Sequence, residues 1–599
     1  MAHGLLYGAS FKNGVLSFTD KQGRSLCEVS LPKYLTLTAV KNKGSVALKK
    51  VGTVTNTYEY RKNGGAWTAY ELTTNGTAIS LNAGDRVEWR CTAWNSTFSM
   101  DSYVQFVMTG KISASNPVTS MISPTLNHKT IENNYACYKL FLVCKSLTQA
   151  PELPATTLKI HCYQYMFQNC TGLTQAPELP STTIAPYCYQ NMFYGCTALT
   201  KAPALPATAL YINCYQEMFY GCTGLTQAPK LPATKLRSSL VSANYCYESM
   251  FRGCTSLVQA PELPATTLAS YCYESMFAGC TALTKAPALP ATELKTCCYN
   301  GMFRGCSKLV QAPALPALTI PDSIASGDYV KGCYVEMFRY CTSLTEAPEL
   351  PATTLGKACY LSMFESCTSL TKAPALPATT LPDVLSYKNS SGGTVDRGCY
   401  SYMFKGCTGL TQAPELPATT LAKYCYANMF DRCTGLTQAP ELPATTLAEG
   451  CYSGMFQDCT GLTQAPELPA TTLAKSCYQW MFEGCTSLTQ APELPATTLA
   501  TYCYFYMFEG CTSLTQAPAL PATTLANYCY ASMFIKCSSL NEVRVSATDI
   551  SAGYCTDYWL SGVSATGDFY CNPRTSWTSG VSGIPANWTR HNIADYPAA

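Results

Sequence analysis

The residues of this chain best suited to chemistry are its cysteines, because thiols pair as disulfides and bind metal ions. The sequence holds 35 cysteines in 599 residues, and 31 of them fall at positions of the block CYxxMFxxC or a variant of it, 30 as pairs and Cys555 singly. A shortened copy spans Cys137–Cys144, and a decayed copy begins at Cys555. The fourteen full copies begin at Cys162, Cys188, Cys214, Cys246, Cys272, Cys298, Cys333, Cys359, Cys399, Cys425, Cys451, Cys477, Cys503 and Cys529.

The spacing argues against a disulfide within a block. If the block is helical, its two cysteines lie about 12 Å apart along the axis, whereas a disulfide needs Cα atoms within about 7 Å. Cysteines of adjacent repeats, stacked about 4.8 Å apart, meet that limit, but a uniform ladder gives each thiol two equivalent neighbours. We therefore expect buried free thiols that pack as small apolar side chains, in a chain that folds in a reducing compartment.

The sequence does not predict a metal centre or a catalytic site. Seven residues between paired cysteines do not match a zinc site, and the histidines, at His3, His128, His161 and His591, have no partner spacing. The sequence contains no phosphate-binding glycine loop, nucleophile elbow or HExxH motif. We predict no enzyme and no cofactor.

A ladder of glutamates is the remaining candidate for cation binding, because Ca²⁺ takes carboxylate oxygens. Its members follow one another at 26-residue steps: Glu415, Glu441, Glu467 and Glu493. The same position elsewhere holds Ala204, Ala288, Ala314, Ala375 or Lys230. This variation favours solvated glutamates over a continuous metal ladder.

The block that carries the cysteines has the pattern of a short amphipathic helix. On a wheel of 100° per residue, the Cys, Tyr, Met, Phe and Cys of Cys503–Cys511 fall within an arc of about 140°. The variable residues of this copy, Phe505, Tyr506, Glu509 and Gly510, occupy the opposite arc. We expect two helical turns per repeat, with the variable side chains in solvent.

The stretch after each block, TxLTxAPxLPATTL, predicts a strand of three or four residues and a return loop, because proline lacks the N–H that a ladder needs. A strand, a loop and a short helix repeated in one direction predict an α/β solenoid, a superhelix with short parallel strands. Full copies are 26 residues apart except at three insertions, all between ATTL and CY: Arg237–Tyr245, Ile320–Gly332 and Leu381–Gly398. These loops must project from one edge, and such insertions often form the binding face.

Segments rich in strand residues flank the repeats. Residues 1–35 predict short strands, residues 36–115 a small all-β domain of the sandwich type, and residues 116–135 a linker. We place the solenoid at residues 136–541. Residues 542–599 then form a β cap that covers the last open repeat.

Composition excludes several partners. The net charge is +3 and only 13% of residues are charged, so there is no basic field for phosphates and nucleic acid is not an expected partner. Apolar runs are far shorter than 18 residues, so no membrane insertion is expected. The first residues lack the pattern of a Sec signal peptide.

The unit Met-Phe-x-x-Cys-Thr-x-Leu, recurring over residues 136–541, resembles the BspA-like class of bacterial leucine-rich repeat. Two features depart from that class: proline stands in the strand where an apolar residue is usual, and the unit is slightly longer. The flanking segments YEYRKNGGAWTAYEL, NAGDRVEWR, WLSGVSATGDF and GIPANWT are similar to those around such repeats in proteins of gut bacteria and their phages. The resemblance implies binding or adhesion at a cell surface without catalysis.

We therefore predict a phage virion fibre or receptor-binding component that presents the repeats to a host-envelope glycan or protein. The N-terminal β domain would attach to other virion proteins, and the oligomeric state stays open. The alternative is a BspA-type adhesin on the bacterial cell surface. The candidate contacts are variable-position aromatics and loop residues: Tyr165, Tyr194, Tyr220, Tyr340, Tyr402, Trp480, Phe505, Tyr506, Ser239, Asp328, Tyr387 and Asn389.

Overall fold

A computed structural model describes residues 8–12, 15–22, 24–30, 32–124, 129–236 and 243–596. The chain divides into two compact units, residues 1–199 with 203–206 and residues 200–202 with 207–599. Within the described residues neither unit contains an α-helix. The helical turns found there are the 3-10 segments Val118–Met121 and Ile593–Asp595.

The first unit contains two sheets ahead of its repeats. The smaller is antiparallel, with strands in the order β1 (Gly8–Lys12), β2 (Val15–Thr19) and β3 (Ser25–Ser30). The larger has the order β10-β9-β4-β8-β5-β6, and β7 pairs with β4. Its strands are β4 (Leu35–Val51), β5 (Thr57–Lys62), β6 (Thr68–Tyr70), β7 (Ile79–Leu81), β8 (Arg86–Ala93), β9 (Tyr103–Ser115) and β10 (Leu147–Gln149). Alternating apolar residues such as Leu35, Leu37 and Trp89 form its core.

Strand β9 connects the larger sheet to the first repeat of this unit. The N–H of Phe106 donates to the carbonyl of Leu140 at 2.8 Å, and β10 pairs in parallel with β9. The rings of Phe106 and Phe141 stack at 5.2 Å, and Phe141 stacks in turn on Phe167 at 5.5 Å. The sheet therefore covers the open face of the first repeat, which a repeat array needs.

The CYxxMFxxC block is a series of overlapping β-turns, so the predicted α-helix is wrong. In the second unit's copy Cys425–Cys433, alternate N–H groups donate three residues back, as Met429 does to the Tyr426 carbonyl at 3.2 Å. The other N–H groups donate to the following repeat, as Phe430 does to the Met455 carbonyl at 2.9 Å. Each block thus satisfies half of its N–H groups locally and half through its neighbour, whereas an α-helix satisfies them internally.

Left-handed residues explain why no α-helix forms. Tyr424, Asn428 and Arg432 have φ of 51°, 55° and 61°, and the same three positions are left-handed in most copies. A right-handed helix cannot continue through such residues. Their spacing gives the block a period of four, which still places Cys, Tyr, Met, Phe and Cys on one face. The wheel therefore predicted the burial of these residues but not their backbone conformation.

The buried face forms ladders that run from repeat to repeat. In the second unit the block phenylalanines stack at 5.5–5.8 Å, for example Phe404 on Phe430 at 5.7 Å. The second cysteine of a block donates its S–H to the phenylalanine carbonyl of the preceding repeat, as Cys433 does to Phe404 at 3.1 Å. Every cysteine whose side chain is described is free and buried. The thiols therefore act as small apolar side chains that also donate hydrogen bonds.

Some variable positions are buried, contrary to the prediction that all face solvent. Gln164 in the first unit and Glu274 and Asp431 in the second are at most 4% exposed. The reason is that the turns lie flat against neighbouring repeats, so their side chains extend over adjacent coils. The Lys405 ammonium, one repeat before Asp431, contacts its carboxylate at 2.6 Å.

The flank after the block is nearly free of strands. Adjacent repeats meet there through single parallel bridges, such as Gln438 with Gln464 and Thr472 with Thr498. In the last repeat, where the prolines are missing from NEVRVSATD, β15 (Glu542–Val545) forms a strand of four residues. This contrast supports the argument that the two prolines of APxLP limit the ladder.

Four short strands and a terminal sheet complete the second unit. The hairpin strands are β11 (Ile324–Ser326), β12 (Tyr329–Lys331), β13 (Leu385–Lys388) and β14 (Thr394–Arg397). The terminal strand β16 (Gly567–Cys571) pairs in parallel with β15, and β17 (Trp588–Asn592) pairs in parallel with β16. The ring of Trp559 stacks on Tyr530 at 6.2 Å and on Trp577 at 5.5 Å, and it thereby covers the last repeat.

Candidate binding surfaces

Two of the three insertions form a hairpin pair, β11–β12 with β13–β14, on one edge of the second unit. The turn residue Asp328 of the first hairpin accepts two hydrogen bonds from Ser390 of the second, at 2.6 Å from its amide and 2.7 Å from its hydroxyl. The Tyr387 hydroxyl donates to the Asp328 carbonyl at 3.3 Å. The hydrogen bonds from Ser390 lower the pKa of Asp328. These two insertions therefore share one edge, as their common position in the repeat predicted, whereas most of the insertion Arg237–Tyr245 lies outside the described residues.

Apolar and charged contacts fix the base of the hairpin pair to the repeats. Val330 and Leu385 pack against the buried cluster Val335, Ala358 and Leu361. In the first hairpin, the Lys331 ammonium lies 2.6 Å from the carboxylate of Glu274, whose side chain is only 6% exposed. A buried charge that is paired in this way holds the hairpin in place.

The three loop candidates that can be placed have different roles. Asp328 joins the two turns, and Tyr387 supports that contact. Asn389 has a local role, because its carboxamide oxygen accepts from the Gly393 amide and the Ser391 hydroxyl, both at 2.8 Å. Ser239 lies outside the described residues. The first hairpin also exposes an aromatic residue that the sequence did not single out, Tyr329, which is 74% exposed.

The aromatic candidates at variable positions are mostly half-buried. Among them only Tyr340, at 40%, and Trp480, at 36%, rank as exposed. Tyr402 is covered by the guanidinium of Arg397 and the ammonium of Lys405, each 5.4 Å from its ring centre. The remaining candidates, half-buried on their own repeats, are Tyr165, Tyr194, Tyr220, Phe505 and Tyr506.

Three of these candidates, Trp480, Phe505 and Tyr506, belong to a larger group that we call the aromatic patch. The sequence reasoning missed its other members, which precede the first cysteine of a block: Tyr502, Tyr528 and Tyr554. Their rings stack in series at 4.7 and 5.0 Å. For Tyr502 and Tyr528 the signal that could have found them is the tripeptide Tyr-Cys-Tyr, whose first tyrosine is left-handed while the second is buried; Tyr554 stands in Tyr-Cys-Thr.

The aromatic patch and the hairpin pair lie on the same edge of the second unit. Insertions enter the repeat immediately before the position that Tyr502 occupies in its own copy. Within this unit, backbone N–H groups donate to backbone carbonyls of the following repeat: Tyr424 to Glu449, Gly450 to Lys475, and Tyr502 to Asn527. This ladder of hydrogen bonds keeps the edge in register from one repeat to the next.

His161 and the glutamate ladder are the other described residues that the sequence singled out for their chemistry. His161 stacks between Tyr135 and Tyr187 at 4.3 and 4.5 Å, and burial lowers its pKa. Among the described residues, no group of three or more His, Cys, Asp or Glu is able to hold a metal ion. The glutamates of the ladder, Glu415, Glu441, Glu467 and Glu493, are exposed on the proline flank. A shallow groove there lies between Pro414 and Pro440 and includes Glu415 and Glu441.

The repeats match a known family. The family model described as "BspA type Leucine rich repeat region (6 copies)" matches residues 134–234 and 427–556. No curated protein and no solved structure matches the chain. No helix among the described residues is long and apolar enough to cross a membrane. These two stretches are therefore similar to BspA-type leucine-rich repeats, with β-turn blocks in place of the helices that the wheel predicts.

Proposed function

We propose that this chain is a non-enzymatic binding protein that attaches a phage virion to the host cell surface. The family supports a binding or adhesion role, and BspA-type repeats are not typical of enzymes. The observation that carries the proposal is the contact of Asp328 with Ser390, which joins two insertions into one hairpin pair. An insertion tolerated only as a loose surface loop would need no partner.

The hairpin pair has the features of a protein or glycan contact site. It exposes Tyr329 at its end, and tyrosine is enriched at binding interfaces. Its base is held by Lys331 and Glu274, so little conformational entropy is lost on binding. We propose that this edge meets an envelope glycan or protein, and that the sheet at residues 35–115 attaches the chain to other virion proteins.

The test uses the full chain and a variant without the second hairpin. Residues 382–398 are replaced by the Ala-Lys-Tyr of residues 422–424, which restores the spacing from leucine to cysteine found in uninterrupted repeats. The variant should stay folded but lose binding to intact host cells by at least about tenfold. The matched control is Glu441→Gln on the opposite, proline flank, which should bind as wild type.

Two results would contradict the proposal. Unchanged cell binding by the variant would remove the hairpin pair from the contact. Mass spectrometry of purified virions that never finds the chain, together with its labelling on intact bacterial cells, would assign it to a bacterial surface instead.

A further inference from the structure

The aromatic patch forms one continuous network of rings. Tyr502, Tyr528 and Tyr554 stack nearly parallel, with interplanar angles of 18° and 15°. Phe505 meets Tyr502 edge to face at 5.2 Å and Tyr506 at 4.3 Å. Trp480 lies 6.3 Å from Phe505 at a tilt of 60°, so this neighbour does not cover the face of its indole. The network therefore spans four successive repeats and ends in an open ring.

The patch is held rigid by its backbone. Trp480, Tyr502 and Tyr506 are left-handed, with φ of 58°, 60° and 57°. The N–H of Trp480 donates to Phe505 at 2.9 Å, and that of Tyr506 donates to Ala531 at 3.2 Å. Ring contacts and hydrogen bonds thus fix the side chains before any ligand arrives, which reduces the entropy lost on binding.

The patch is long and shallow. The third of its four repeats carries Ala531 and Ser532 where the second carries Phe505 and Tyr506, and both small residues are buried. At its far end Tyr554 is 64% exposed and Tyr558 is 54% exposed. A surface of this form suits an extended ligand that runs along several repeats rather than a small molecule enclosed in a cavity.

The charges beside the patch do not favour an anionic ligand. The Lys536 ammonium pairs with Glu509 at 2.8 Å, and the Lys475 ammonium pairs with Glu449 at 2.9 Å. The carboxyl of Glu483 follows Trp480 by three residues and is hydrogen-bonded to Gln457 at 3.0 Å. The edge therefore offers aromatic rings, hydroxyls and carboxylates, while its cations are already engaged.

We infer that the aromatic patch binds a neutral, hydroxyl-rich glycan chain. The C–H faces of sugars would pack on the open rings of Trp480 and Tyr554, and their hydroxyls would donate to tyrosine oxygens and to Glu483. A ladder of rings that repeats at every coil suits a polymer that repeats along its own length. This inference rests on the proposed function, for which it supplies the class of ligand.

The test is affinity electrophoresis of the full chain in gels that contain one polymer each. The neutral probes are a β-glucan, a mannan and an N-acetylglucosamine polymer; the charged probes are polygalacturonate and polylysine. At least one neutral polymer should retard the wild type. The double variant Trp480→Ala with Tyr506→Ala should raise the apparent Kd for that polymer by at least about tenfold. The matched control is Tyr271→Ala, a ring stacked on Tyr245 at 4.4 Å outside the patch, which should bind as wild type.

The outcomes separate this inference from the proposed function. Retardation by none of the neutral polymers, or by polylysine alone, would overturn the glycan inference, and the second result would point to a basic protein. Equal binding by wild type and the double variant would also overturn it. Cell binding that is lost without the hairpin but unaffected in the double variant would support the proposed function. The same result would show that the aromatic patch takes no part in binding the cell. Glycan binding without cell binding would support the glycan inference and contradict the proposed function. Circular dichroism melting curves check that each variant is folded.

Discussion

The carboxylate of Asp328 accepts hydrogen bonds from both the amide and the hydroxyl of Ser390, a residue 62 positions later in the chain. The two residues belong to different insertions, so neither hairpin can be understood without the other. The contact lies in solvent and depends on an ionised carboxylate. It therefore gives a prediction that can be tested by pH.

The hairpin contact should open in acid. Because Ser390 holds the pKa of Asp328 below its usual value, the contact is present above about pH 4 and is lost as pH falls through the lowered pKa. Amide hydrogen exchange at Ser390 should accelerate below that pH while exchange in the repeats stays slow. Asp328→Asn should show the fast exchange at every pH, and equal exchange in the variant and the wild type at pH 7 would contradict the assignment.

The second cysteine of a block should contribute through its hydrogen bond as well as its volume. Cys433→Ala removes both a buried sulfur and a donor to the Phe404 carbonyl, so the free energy of unfolding should fall by about 1–3 kcal/mol. Cys433→Ser keeps a hydrogen-bond donor, so its free energy of unfolding should fall less than that of Cys433→Ala. The midpoint of thermal unfolding measures both, with the exposed Thr434→Ala as control. An alanine variant as stable as wild type would show that the bond contributes nothing.

A β-branched residue should lower stability at a left-handed position inside the array such as Asn428, although the shortened copy carries Val143 with a φ of 60°. Asn428 has a φ of 55°, so Asn428→Ile should lower stability by about 1–3 kcal/mol through backbone strain. Asn428→Gly removes that strain and is the matched control. Equal melting temperatures for the two variants would mean that the backbone at this position can change its conformation.

A half-buried carboxyl should make stability fall between weakly acidic and neutral pH. Burial, reinforced by the nearby Glu274, raises the pKa of Glu248 to about 7. The unfolded chain ionises near its usual value of about 4.3, so stability is complete below that pH and is lost as pH rises toward 7. Glu248→Gln still accepts from Gln216 and should raise stability by about 1–3 kcal/mol at pH 8 but not at pH 4. The exposed Glu441→Gln should be neutral at both, and a variant that gains as much at pH 4 would contradict this origin.

The thiols should be unreactive in the folded chain and free in the unfolded one. Burial raises the pKa of Cys306 to about 12, so little thiolate forms near neutral pH. Alkylation at pH 8 should be slow under native conditions and nearly complete in guanidinium without a reductant. Few free thiols in the denatured sample would indicate disulfides.

How much was predictable depends on which physical signal the residues carry. The burial of Tyr426, Met429 and Phe430 followed from apolar spacing, because periods of 3.6 and four place these residues on one face alike. The backbone did not follow, because the sign of φ at Asn428 and Arg432 depends on hydrogen bonds to the next repeat. A wheel treats one copy in isolation and contains no neighbour.

The candidate binding surfaces were likewise predictable only in part. The insertions were placed on one edge because their position in the repeat is visible in the sequence. The contact between Asp328 and Ser390 was not predictable, since it joins two loops whose conformations are set by their own turns. Tyr502 was overlooked because it stands outside the block, although its chemistry is that of Tyr506 inside it.

The sharing of hydrogen bonds between neighbouring repeats has a consequence for how this gene can change. Each block donates the same set of N–H groups to the block that follows, and the stretches APELPATTLA are nearly identical from copy to copy. In-frame recombination between two such stretches removes or duplicates whole repeats, and the new junction joins surfaces that already fit. The number of repeats can therefore change in single genetic steps without loss of the hydrogen bonds that join neighbouring repeats.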